Sequence, residues 1–120
     1  MPLNEQNVIH LFDFKECVEV VQWGNNFDSF NILFHGNTKN LSLPSSIPNN
    51  ITDMSFMFTN ATIFDKDISN WDVSNGTNMS YMFAGAEKFN QNLSTWCINN
   101  QPVDFADSSK VTFPNWGNCA

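Results

Sequence analysis

Residues 51–75 read ITDMSFMFTNATIFDKDISNWDVSN, and residues 76–100 read GTNMSYMFAGAEKFNQNLSTWCINN. The two stretches align without a gap at a period of about 25 residues, inside the range of repeat architectures. Identical pairs are Thr52/Thr77, Met54/Met79, Ser55/Ser80, Met57/Met82, Phe58/Phe83, Ala61/Ala86, Phe64/Phe89, Ser69/Ser94, Trp71/Trp96 and Asn75/Asn100. Asp53/Asn78, Phe56/Tyr81, Ile68/Leu93 and Val73/Ile98 are conservative pairs. The chain therefore carries a tandem repeat.

Within one copy, Met54, Met57, Phe58 and Ala61 stand at i, i+3, i+4 and i+7, which predicts a short amphipathic helix. Thr52 or Asp53 would cap its start, and Asn60 and Gly85 fall where two turns should end. Phe64, Ile68, Trp71 and Val73, spaced irregularly among Asp, Ser and Asn, predict a turn-rich return with a very short strand at Trp71–Val73. So short a helix is unstable alone, because nucleation is costly. Each buried Phe or Met contributes about 1.5–3 kcal/mol, and most of that burial requires a neighbouring copy, so the units must stack. The expected repeat core is Met54, Met57, Phe58, Phe64, Trp71, Met79, Met82, Phe83, Phe89 and Trp96.

The fold class that follows is α/β: a short, irregular, leucine-rich-repeat-like solenoid with N- and C-terminal caps. Residues 1–22 form the expected N-terminal cap, with β-leaning runs at Val8–Phe14 and Cys17–Val21. Residues 23–50 are a degenerate repeat, because Phe30–Gly36 echoes Met54–Asn60, and Pro44 and Pro48 exclude a regular helix after it. Residues 51–75 and 76–100 are the full repeats, and residues 101–120 the closing cap. In that cap Phe105-Ala106-Asp107 is expected at the place of Phe83-Ala84-Gly85, with Val111 at the place of Phe89.

The 120 residues suit one domain, and the net charge of -7 argues against nucleic acid and against an anionic membrane surface. No apolar run approaches the ~20 residues of a membrane span. The opening MPLNEQNVIH lacks a basic region followed by an apolar one, so no secretory signal is expected there.

Catalytic signatures are missing. His10 and His35 have no Cys or His at metal-ligand spacing, and no nucleophile elbow, phosphate loop, zinc-protease or dinucleotide motif occurs. Asp65, Asp67 and Asp72 share one return loop with the ligand chemistry of a weak calcium site, but the second copy has Asn90, Asn92 and Cys97 there; a solvated acidic turn is the better reading. No cofactor, metal or catalytic residue is assigned. The Asn-x-Ser/Thr pattern at Asn40, Asn50, Asn60, Asn75, Asn78 and Asn92 would suit glycan acceptors, but an Asn- and Ser-rich chain generates it freely, and Asn50 and Asn75 at the matched repeat junctions read as turn residues. Cys97 replaces Asp72 directly after the repeat Trp, and Cys119 ends the closing segment; a bridge between them would staple the last coil, worth about 3 kcal/mol in the loop-entropy model. Cys17 is the odd thiol, expected buried.

The string N-x-x-x-M-S-x-M-F-x-x-A-x-x-F-N-Q-x-L/I-S-x-W is carried by Asn75, Met79-Ser80, Met82-Phe83, Ala86, Phe89-Asn90-Gln91, Leu93-Ser94 and Trp96. It resembles the repeat of BspA-like bacterial surface proteins, which is also that of a domain of unknown function in mycoplasma lipoproteins. The first copy matches apart from Asp65-Lys66 in place of Asn-Gln. Val20–Gly24 and Trp96–Cys119 look like the family's opening and closing segments. The resemblance implies a leucine-rich-repeat-like solenoid and a surface or secreted adhesion role, with no activity common to all members. The expected function is a non-enzymatic recognition module binding a protein or glycan on a cell or particle surface. The alternative is a structural virion component, a capsid-surface or spike protein assembled into a larger particle, to which the missing signal and the doubly capped outline point.

The closing clip gives a direct test. Non-reducing peptide mapping of oxidised native protein is expected to find Cys97 bridged to Cys119 and Cys17 reduced. A bridge to Cys17, or three free thiols, would sink the clip.

Overall fold

A computed structural model describes residues 2–3, 17–23, 29–107 and 111–117, and the structural statements below concern these residues. The expected runs at Val8–Phe14, together with His10 and Cys119, lie outside them.

The Met54–Ala61 stretch is not a helix. It is a chain of overlapping turns, and no α-helix occurs among the described residues. Its backbone amides divide into two interleaved sets. Those of Met57, Thr59 and Ala61 donate locally to the carbonyls of Met54, Phe56 and Phe58, at 3.3, 3.2 and 3.0 Å. Those of Met54, Phe56, Phe58 and Asn60 donate outward to Asn78, Ser80, Met82 and Ala84 of the next copy, at 2.9, 3.0, 2.8 and 2.8 Å. An α-helix would direct every amide to i−4 and leave none for a neighbour. Left-handed backbone at Phe56 (φ 60°) and Asn60 (φ 59°) breaks the helical path and turns alternate amides outward.

The same alternation extends to both sides. Phe30, Ile32, Phe34 and Gly36 donate to Asp53, Ser55, Met57 and Thr59, at 2.9, 3.0, 2.9 and 2.8 Å. Tyr81 and Phe83 donate to Val103 and Phe105, both at 2.8 Å. This register corrects one expectation: Phe105 takes the place of Met82, not of Phe83. Thr112 bridges Asn92, so Val111 lies beside Gln91 rather than at the place of Phe89. The closing segment is shorter than a full copy, and its backbone pairing, not its side-chain resemblance, sets the register.

Regular strands are brief. Pro2–Leu3 (β1) pairs in parallel with Glu19–Val20 (β2), and Cys97–Ile98 (β3) in parallel with Asn115–Trp116 (β4). Isolated parallel bridges join Glu19 to Ser42 and Asp53 to Asn78. The strand expected at Trp71–Val73 does not form; only its counterpart after Trp96 does, where β4 supplies a partner.

Side chains repeat as the backbone does. Met54, Met57, Phe58, Ala61, Phe64, Ile68, Trp71 and Val73 are buried, and so is each counterpart from Met79 to Ile98. The phenyl rings form two adjoining ladders. Phe34, Phe58 and Phe83 stack at 5.6 and 5.3 Å, and Phe64 stacks on Phe89 at 5.7 Å. Between the ladders, Phe58 meets Phe64 at 4.3 Å and Phe83 meets Phe89 at 4.1 Å, nearly parallel. Spacing along the ladders follows from the close approach of hydrogen-bonded backbones. The stack closes with tilted or edge-on rings: Trp23 on Phe30 and Phe34 at one end, Phe105 edge-on to Phe83 at the other. Buried Asn37 is satisfied, donating to the Cys17 carbonyl at 2.8 Å and accepting from the Lys39 amide at 2.8 Å.

Phe58→Ala and Phe83→Ala are expected to lose about 3–5 kcal/mol each, the cost of truncating a large ring in a packed interior. Chemical denaturation measures it; losses under about 1 kcal/mol in both would show that the ladder does not hold the copies together.

Candidate functional site

The carboxylates of Asp53, Asp67 and Asp72 are tied into turns. The Asp53 carboxylate accepts from the Ser55 amide at 3.0 Å and its hydroxyl at 2.6 Å. Asp67 does the same with Ser69, at 2.9 and 2.6 Å, and Asp72 accepts from the Ser74 amide at 3.0 Å. Asn78 and Asn92 make the identical turn with Ser80 and Ser94, at 3.1 and 2.9 Å. Each is an Asx-turn, in which a side-chain oxygen accepts from the amide two residues on. This accounts for two of the Asn-x-Ser sites in turn terms: Asp or Asn serves equally, so the pattern follows the turn. Asn75 instead donates to the carbonyl of Asn49 in the preceding unit.

Asp65, Asp67 and Asp72 are all exposed, and each carboxylate is already engaged. Asp65 accepts from the Asn90 amide at 2.9 Å and from the Gln91 side chain at 2.8 Å, joining the two copies where the second carries Asn-Gln. No cluster of three or more His, Cys, Asp or Glu that could hold a metal occurs among the described residues. His35 is exposed. Cys97 is disulfide-bonded, while Cys17 is a buried, reduced thiol whose pKa burial pushes up. A thiol so placed is a poor nucleophile. The pairing partner proposed for Cys97 is Cys119.

The ten residues expected to form the repeat core are brought together as its interior, with no reacting group among them. Beside them is a cleft of about 270 Å3, lined by Trp71–Ser74 and Thr95–Cys97. Among the described residues no backbone hydrogen bond joins those two runs. Trp23 and Trp71 donate their indole N–H to the carbonyls of Ser46 and Pro44, at 2.7 and 3.0 Å; the buried indole N–H of Trp96 has no hydrogen-bond partner among the described residues.

The surface feature that sequence reading missed is a column of left-handed residues. Ile32, Phe56 and Tyr81 hold φ of 56°, 60° and 59°, and Asp104 follows at 46°. Phe56 and Tyr81 stack at 4.8 Å with planes 12° apart, only partly buried. The signal was present: Phe56/Tyr81 is a conserved aromatic pair off the buried stripe.

Hydrogen bonds from Ser69 and Ser74 hold the carboxyls of Asp67 and Asp72 below the ordinary value of 3.8. A carboxyl depressed in the folded state contributes stability above its unfolded pKa and loses it as pH falls through the folded one. Melting temperature is therefore expected to fall as pH drops below about 4. Asp67→Asn with Asp72→Asn, which keeps the turn acceptor, should flatten that fall; an unchanged pH profile would contradict it.

No curated protein and no solved structure matches the chain. One family profile does, that of the mycoplasma proteins of unknown function described as DUF285, across residues 25–104. That span takes in residues 25–50 of the degenerate unit and both full copies, and the chain belongs to this family.

Proposed function

We propose that this chain is a non-enzymatic recognition module: a short, leucine-rich-repeat-like solenoid of the BspA-like surface type that offers its flank to a protein or glycan on a cell or particle surface. The observation that carries the reading is the use made of each class of side chain. The buried apolar residues of the copies form one common core. The aspartates of the acidic loop accept hydrogen bonds from nearby serines or from the next copy, which removes them as a poised acid–base set. What faces outward among the described residues is a hydroxyl- and amide-rich surface with apolar side chains such as Ile32 and Val103 exposed on it, suited to contact rather than turnover.

The full chain is expected to show saturable binding in a combined glycan-array and cell-surface protein screen, and no hydrolase, transferase or redox turnover. A reproducible turnover abolished by Asp65→Ala, Asp67→Ala or His35→Ala would overturn the reading.

A further inference from the structure

Two columns of left-handed backbone run across the copies, and they are filled differently. One contains Gly36, Asn60 and Gly85, residues that accept positive φ. At Gly85 a side chain would also collide with Oδ1 of Asn60. The other contains Ile32, Phe56 and Tyr81, ending at Asp104. Bulky residues, and β-branched ones above all, are true outliers at positive φ. Asparagine would hold the same backbone with less strain. Burial does not explain the choice at Ile32, which is 57% exposed. Val103, whose carbonyl accepts from the Tyr81 amide, is 56% exposed, and Asp104 beside it is exposed as well. Strained backbone kept at an exposed apolar column is the kind of outlier from which a functional role is inferred.

The orientation of the rings selects the ligand. Phe56 and Tyr81 lie face to face, so each covers one face of the other. A sugar docks its C–H face on an open aromatic face, and the stack already covers one face of each ring. Ring edges carry the positive part of the quadrupole and accept aliphatic groups or the face of another aromatic ring. Asp104 at the end of the column, on a chain of net charge -7, favours a cation beside that apolar contact.

We propose that Ile32, Phe56, Tyr81, Val103 and Asp104 form a protein-docking ridge that takes an extended partner segment carrying an aromatic or branched aliphatic side chain close to a lysine or arginine. The proposal rests on the recognition reading above and chooses protein over glycan within it.

The test presents the full chain to a displayed library of random peptides and, in parallel, to a glycan array. Enriched peptides are expected to pair an aromatic or branched aliphatic residue with Lys or Arg. Ile32→Asn suits the left-handed backbone and should melt no lower than the parent, yet weaken those peptides by about tenfold or more. Asp104→Asn, a second and independent variant, should weaken them severalfold and reduce their salt dependence. Peptides indifferent to both variants, or binding confined to glycan probes, would overturn the ridge while leaving a recognition role standing. Silence from both probe sets would overturn the two together.

Discussion

Backbone amides that alternate between their own turn and the next copy are the constraint on which the rest of this structure depends. In the Met54–Asn60 run each outward amide is followed by one that closes a local turn. The local bonds bend the chain; the outward bonds hold neighbouring copies at a fixed distance. That distance sets the stacking of Phe34, Phe58 and Phe83, and of Phe64 on Phe89. The rings in turn exclude water from the outward bonds, which strengthens them. Neither half is stable without the other, because a lone run of such turns has few local bonds and no buried face.

How far the sequence revealed this varies with the element. The repeat, its period and its buried residues were legible, since each depends on residue identity at fixed spacing. The helix was not. Spacing of i, i+3, i+4 and i+7 marks residues on one side of a tightly wound chain, and successive i to i+3 turns place them on one side as a helix does. The decisive difference lies in φ at Phe56 and Tyr81, and neither residue type announces positive φ. The end of the chain misled for a related reason. Phe105 resembles Phe83, but Tyr81 and Phe83 donate to Val103 and Phe105, so Phe105 falls in line with Met82.

The candidate surface was half legible. Phe56/Tyr81 stood out as a matched aromatic pair, and Asp104 and Ile32 did not. Only the backbone shows that the four share one column. The recurring Asx-x-Ser tripeptides were visible as a glycan-acceptor pattern; Asp53, Asp67 and Asp72 adopt the same turn as Asn78 and Asn92, which reveals its structural purpose.

The central claim is that the copies are joined by alternate backbone amides in place of helices. Nuclear magnetic resonance couplings across hydrogen bonds report it directly, because each links one amide nitrogen to the carbonyl carbon it bonds. The account predicts couplings from Phe56 to Ser80 and from Phe58 to Met82, with Thr59 coupled to Phe56. Couplings from Phe58 to Met54 and from Thr59 to Ser55, the i to i−4 pattern of an α-helix, would contradict it.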